Sequence, residues 1–328
     1  MKQVLLSIFI FITLSQANAW EVDNFHCKYE PMTSSDAALD AEVNRRIAET
    51  LSEFNRNNSC DKEGILLALK GAIASAWSGN METWSQENVD SKCLNKEKTI
   101  YKGFSIKDAF VLRAAGLNYV IQVNGVRIGA DKLSHFMTEG FDYYMEFQNS
   151  NSMEKVLKIG RDEEEGGYGW DATGIKSYGD LAANYQGFLF WKQVLDGANP
   201  YLTCVDGHWK QARDFKWSDY VNPLFDESIN CSEFKTSNME AVVDRNVSAL
   251  QTSLGKRPPV CPLNRDFCNN VSSVITDDYI RSQIVHPRCL DPNTAPTEAP
   301  KRQRRPRAVY GSPGAQQNNS QGDSNGVN

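Results

Sequence analysis

The chain predicts a mainly α fold: an irregular helical body followed by a loop-rich, disulfide-stapled C-terminal section. Three observations carry that expectation. Apolar residues up to about Leu195 recur at three- and four-residue spacing. Pro223, Pro258, Pro259, Pro262 and Pro287 crowd the stretch after Gly197, and five of the eight cysteines lie in that stretch. With 328 residues, 41% hydrophobic side chains, and 35 basic against 41 acidic groups, the composition is globular. It excludes a collagen-like, coiled-coil or wholly disordered chain, and the acidic balance excludes the usual basic nucleic-acid binder.

Lys2, the apolar run Val4 to Leu14 and Ala17-Asn18-Ala19 have the three parts of a secretory signal peptide, expected to be cut before Trp20. The apolar run is shorter than the roughly twenty residues a bilayer requires. Ala109 to Gly129 is the nearest later candidate for a span, and Arg113, Asn118, Gln122, Asn124 and Arg127 interrupt it. The expected product is exported to a periplasm or beyond. All eight cysteines (Cys27, Cys60, Cys93, Cys204, Cys231, Cys261, Cys268 and Cys289) follow the cleavage point, which suits up to four disulfides in an oxidising compartment. Spacing alone assigns no pairing.

Within the body, 20–195, Leu39, Val43, Ile47, Leu51 and Phe54 mark a first helix capped by Ser35 or Asp36. Ile65 to Trp77, Ile106 to Ile121, Asp131 to Phe147, Met153 to Glu165 and Ser177 to Leu195 read as further helices. In 196–290, Asp206-Gly207 lies between β-prone residues and predicts a hairpin. This section is expected to pack on the body. Trp209, Phe215, Trp217 and Tyr220 are either its core or a platform for sugar rings. The tail, 291–328, has no Leu, Ile, Phe, Met or Trp and is expected to be disordered, with a basic cluster from Lys301 to Arg307. Between leader and tail the chain is acidic, with 29 basic and 38 acidic residues over 20–290.

The chemistry concentrates on two helices. At about 100° per residue, Asp131, His135, Glu139, Asp142 and Glu146 share one face, opposite Leu133, Phe136, Met137, Gly140, Tyr144 and Phe147. One histidine amid four carboxylates is either a solvated charged face, with Asp131 as a helix cap, or a site. In a site the acids raise the imidazole's pKa or supply oxygen ligands to a metal. On the later helix Ser177 and Asp180 fit a capping box, and the rest is apolar almost all round. Asp180 and Asn184 lie one turn apart, and Gly187 allows close approach of another element. A buried carboxylate needs a cation, for which Lys132, His135 and Lys176 are candidates.

Asp131-Lys132-Leu133-Ser134-His135-Phe136, the Glu163-Glu164-Glu165 run and Ser177-Tyr178-Gly179-Asp180-Leu181-Ala182-Ala183-Asn184-Tyr185-Gln186-Gly187 together resemble the VanZ-like superfamily and related small periplasmic proteins. The family pattern is DK-x-x-HF, a glutamate on the next helix, then S-x-x-D-L-x-x-N-x-x-G. The resemblance spans about residues 129–190 and marks Asp131, Lys132, His135, Asp180, Asn184, Gly187 and one of Glu163 to Glu165. VanZ-like proteins are generally membrane helices, whereas no span follows the leader here, and Lys176 stands where the family often has arginine. The resemblance implies a shared polar cluster between helices and no particular reaction.

Two functions follow as expectations. The first is a non-catalytic, exported envelope protein that binds or holds, with a buried polar cluster. The second is an envelope hydrolase in which His135, Asp131, Asp180 and Glu165 do the chemistry, supported by Lys132, Asn184, Gly187, Glu139 and Asp142. A divalent metal on His135, Asp131 and Asp180 is the candidate cofactor. The expected partners are an envelope glycan, a lipid-linked precursor or an envelope protein. The sequence lacks G-x-S-x-G, a Walker loop, the dinucleotide glycine fingerprint, H-E-x-x-H and C-x-x-C.

Overall fold

The computed structural model describes residues 21–57, 59–74, 81–91, 98–167, 169–256, 261–291 and 293. The expected signal peptide, Cys93, the end of the expected Ile65–Trp77 helix, Tyr168 and the tail with its basic cluster, apart from Asp291 and Asn293, lie outside the described residues.

The molecule is mainly α, with three short antiparallel strand pairs. A single turn, α1 (Asn24–Cys27), precedes α2 (Asp36–Phe54), α3 (Lys62–Ile73) and α4 (Met81–Asn88). Leu39, Val43, Ile47 and Leu51 bury one stripe of α2, as their four-residue spacing requires. Asp61 caps α3 by accepting the Glu63 N–H.

The expected helix over Ile106 to Ile121 does not form. A short helix, α5 (Phe110–Ala115), gives way to a hairpin of β1 (Val120–Val123) and β2 (Val126–Gly129). The reason is local. Asn124 and Gly125 have φ of 50° and 72°, the left-handed pair that a tight two-residue hairpin turn demands, and β-branched residues flank them.

The next helix runs continuously over 131–150, as α6 (Asp131–Ser134), a π turn (His135–Glu139) and α7 (Gly140–Ser150). It is followed by α8 (Met153–Glu164), β3 (Ile175–Ser177) and α9 (Tyr178–Leu195). Buried on nearly all sides, α9 is the axis of the core. It crosses the 131–150 helix at paired glycines. A Cβ on Gly187 would lie 1.9 Å from the Phe136 carbonyl oxygen, and one on Gly140 would lie 2.6 Å from Gly187 Cα. Helix α9 also supplies a donor to the π turn: Trp191 Nε1–H bonds the Met137 carbonyl at 2.9 Å.

The C-terminal section packs on this axis. It contains β4 (Leu202–Val205) and β5 (His208–Gln211), joined at Asp206-Gly207 as expected, then β6 (Ser232–Phe234) and α10 (Ser237–Ser253). Short helices α11 (Arg265–Asn269), α12 (Asp278–Ile284) and α13 (Pro287–Leu290) follow. Trp209, Phe215, Trp217 and Tyr220 are core, with Phe136 4.9 Å from Trp217 and 5.2 Å from Tyr220 between ring centroids. Strand β6 pairs with β3, setting Lys176 opposite Glu233, and so brings the preceding loop against the start of α9. Disulfides join Cys60 to Cys204, Cys231 to Cys261 and Cys268 to Cys289. They mark a chain suited to an oxidising compartment. No helix among the described residues is long and apolar enough to cross a membrane.

Candidate functional site: a buried lysine among carboxylates

Lys132 lies in the first turn of α6 with its side chain wholly buried. Its ammonium meets Asp131 Oδ2 at 2.8 Å, Asp180 Oδ1 at 2.5 Å and Glu227 Oε1 at 2.6 Å. These carboxylates come from α6, from the first turn of α9 and from the loop before β6, so one cation ties three parts of the chain. Ser177, the N-cap of α9, donates its hydroxyl to Glu227 Oε1 at 2.9 Å and accepts the Asp180 N–H at 3.1 Å. Its own N–H donates to Glu164 Oε2 at 2.8 Å. The Glu227 loop is held by Asp226, which accepts from Ser228, Asn24 and Lys28.

His135 opens the π turn one helical turn beyond Asp131, and its side chain is 17% exposed. Nε2 is 3.3 Å from Asp180 Oδ2, so Asp180 bridges the lysine and the histidine. Nδ1 faces the Asn184 side-chain amide at 3.1 Å. With its nitrogen inward that amide reaches the Asp180 carbonyl (3.0 Å), the His135 carbonyl (3.3 Å) and Nδ1. On the neutral ring Nδ1 then accepts, and Nε2–H donates to Asp180. Tyr143 completes the wall, its hydroxyl beside the same amide.

Charge in this cluster is unbalanced. Lys132 and His135 face Asp131, Asp180, Glu227, Glu164 and Glu139. Burial by itself would drive the Lys132 pKa down, but Asp131, Asp180 and Glu227 hold it well above the ordinary lysine value. For His135, burial also lowers, and Asp180, Glu139, Glu164 and Asp131 outweigh it and bring the imidazole up to about 10. At neutral pH the ring thus holds its second proton, and Nδ1–H calls for the Asn184 oxygen, not its nitrogen, at 3.1 Å. In that orientation the Asn184 amide releases both backbone carbonyls. Burial raises Asp180, yet His135 and Lys132 win and hold it below the usual carboxylate value. Burial, with Asp180 adding, pushes Glu164 well up; burial against Lys132 leaves Glu227 at about 7, and burial against His135 leaves Glu139 at about 8. Those three acids therefore hold protons more tightly than free carboxylates do.

Asp131, Lys132, His135, Asp180 and Asn184 thus meet, and Gly187 provides the close helix crossing beneath them. Glu139 stays near, with Oε2 3.9 Å from His135 Nδ1. Two expected members are elsewhere. Glu165 pairs with Lys176 at 2.9 Å, because it lies just past the end of α8 and is turned away from its neighbour Glu164, which takes the inward place. Asp142 lies 3.7 Å from Lys70 and, among the described contacts, meets no atom of His135 directly. The π turn delays the helix phase between the two residues, so a face drawn for a regular α-helix does not hold. Lys176, committed to Glu165 and Glu233, is not the partner of Asp180.

Glu227, Glu164, Tyr143 and Glu82 were not singled out by spacing. Glu82, buried on α4, accepts from Ser134 Oγ at 2.6 Å and Asn118 Nδ2 at 2.7 Å beneath the cluster. Ligand atoms of Asp131, His135 and Asp180 all lie within 4.8 Å of one another, and Asp131 Oδ1 has no hydrogen-bond partner among the described residues. These three residues can hold a cation. No protein-family model, curated protein or solved structure matches the chain.

Proposed function

We propose that this is an exported cell-envelope protein that acts by binding and holding, and that its polar cluster is an internal fastener, not a reaction centre. One observation carries the reading: the cluster's basic nitrogens already have protein partners. Lys132 is saturated by three carboxylates, and both His135 nitrogens are engaged, by Asp180 and Asn184. A general base needs a nitrogen within reach of a substrate proton, and neither is spare. Export is supported by the leader-like first 19 residues, by the disulfides and by the resemblance to VanZ-like and small periplasmic proteins. The partner would be an envelope glycan, a lipid-linked precursor or an envelope protein.

The test is the stability of Lys132→Met. Removing the ammonium leaves Asp131 and Glu227 without their cation and Asp180 with His135 alone. Breaking such a buried group costs about 3–5 kcal/mol. Chemical denaturation should show a loss of that size, and a loss below about 1 kcal/mol overturns the fastener reading.

A second reading has its own observation in the convergence of Asp131, His135 and Asp180. The 3.3 Å between His135 Nε2 and Asp180 Oδ2 suits two ligands of one ion held at about 2.1 Å from each. A divalent ion there would activate water for a hydrolase acting on peptidoglycan or a lipid-linked precursor. Metal content of protein prepared without chelator or affinity metal decides between the readings. Near-stoichiometric metal, lost in a folded His135→Ala variant, makes this the leading one; no metal in either protein removes it.

A further inference from the structure

We propose that residues 98–113, on a part of the chain separate from the polar cluster, dock the protein onto the surface of an anionic phospholipid bilayer. Ile106 and Phe110 are 61% and 60% exposed, the two most exposed large apolar side chains among the described residues. Their exposure is imposed by a fixed backbone. Around them Ile100, Tyr101, Phe104, Ala109, Leu112 and Leu117 are buried in a core shared with Met239, Val242 and Val243 of α10. The Ile100 N–H donates to Asp23 Oδ2 at 2.8 Å, and Tyr101 OH donates to the Val22 carbonyl at 2.8 Å. Asn246 Nδ2 donates to the carbonyls of Ile100 and Lys102 at 2.7 and 2.8 Å, and the Val111 N–H reaches the Ala172 carbonyl at 3.0 Å. A segment pinned this firmly leaves two bulky apolar residues in water, at a cost that burial in an acyl boundary would remove.

The charge around them selects the partner. Residues 98–113 carry Lys98, Lys102, Lys107 and Arg113 against Asp108, a local excess of +3 within an acidic body. Lys98, Lys102 and Lys107 are exposed, and Lys102 and Lys107 have no ion pair among the described residues. Protruding apolar residues flanked by lysines are the arrangement of an interfacial anchor: the side chains insert to shallow depth, and the lysines meet headgroup phosphates. A protein partner is a poorer fit, since lysine is depleted in protein–protein interfaces. The proposal concerns a peripheral contact and does not depend on what the Lys132 cluster does.

Co-sedimentation of the leader-free chain with vesicles tests it. Binding is expected to vesicles of equimolar phosphatidylglycerol and phosphatidylcholine, to weaken as salt is raised, and to be absent with phosphatidylcholine alone. Ile106→Ser/Phe110→Ser and, separately, Lys102→Glu/Lys107→Glu should each lower the binding constant about tenfold or more. Both pairs are at the surface, so the melting temperature should not change. Should the apolar pair fail to fold, the lysine pair decides. Absence of vesicle binding by the unaltered chain overturns the proposal, as does capture of an acidic protein by this face without vesicle binding. Binding retained in both variants overturns it too.

Discussion

His135 and His286 are both packed among protein atoms, and their neighbours pull them in opposite directions. Carboxylates hold the first up, while burial, with Arg288 and Lys176 adding, lowers the second to about 3. His286 is also held neutral by geometry, since its Nδ1 accepts the Arg288 N–H at 3.0 Å at the start of α13. Above pH 6.5 the ring is neutral in both folded and unfolded chains and contributes no pH dependence. As pH falls below 6.5 the unfolded chain takes up the proton and the folded one does not, so stability is lost progressively down to the folded value. Each unit is worth about 1.4 kcal/mol, hence about 2 kcal/mol between pH 6.5 and 5 from this residue. A folded His286→Gln variant should be less stable at pH 7.5 but show a shallower acid loss in urea denaturation by that amount; parallel curves would refute the assignment. At this scale helical spacing marks Asp131, His135, Asp180 and Asn184, and Lys132 follows as a candidate cation for a buried carboxylate. The sequence hid Glu227, whose side chain meets Lys132 from 95 residues away in a loop with no periodicity. It also hid the choice between Glu164 and Glu165, because three successive glutamates at a helix end differ only in angle.

The 131–150 helix and α9 meet backbone to backbone, and two glycines measure how closely. Gly187→Ala would press a methyl group into the Phe136 carbonyl, an atom fixed in the π turn and unable to step aside. Overpacking of this kind costs about 1–3 kcal/mol, and contact with rigid backbone argues for the upper end. Gly71 makes the contrast: it is an exposed position within α3, and a Cβ there meets nothing within 4 Å. Gly71→Ala should therefore stabilise by about 0.5–1 kcal/mol through helix propensity and unfolded-state entropy alone. Thermal unfolding of the two variants should move the midpoint in opposite directions, and a neutral Gly187→Ala would mean that the helices do not cross this closely. Elements with long apolar periodicity or a clear cap, such as α2 and α9, were legible in the sequence. The β1–β2 hairpin was not, because its alternation spans only four residues a strand and the Asn-Gly turn was outweighed by the apolar run before it. Helix α10 is hard to read because prolines and cysteines flank it on both sides, although Thr236 caps it through the Met239 N–H.

Across the molecule, the C-terminal section is bound to the helical body by three different means, each joining residues far apart in sequence. Glu227 reaches the Lys132 ammonium, β6 pairs with β3, and Cys204 is bonded to Cys60. The disulfides differ in what they restrain. Cys60–Cys204 closes a separation of 144 residues, against 30 for Cys231–Cys261 and 21 for Cys268–Cys289. Cross-linking removes more freedom from the unfolded chain as the loop lengthens, but only logarithmically. The chain-entropy relation gives about 5 kcal/mol for the long loop and about 3 kcal/mol for the shortest. Opening Cys60–Cys204 also loosens the β4–β5 hairpin from the end of α2, where Asn55 holds Trp209 of β5 on both sides of its peptide, its amide donating to the Trp209 carbonyl and its Oδ1 accepting the Trp209 N–H. Both effects act in one direction. The Cys60→Ser/Cys204→Ser chain should lose about 2 kcal/mol more stability than Cys268→Ser/Cys289→Ser in urea denaturation at equal pH. Equal losses, or the reverse order, would show that the body and the C-terminal section are held together by the Lys132 fastener and the aromatic core without help from the long cross-link.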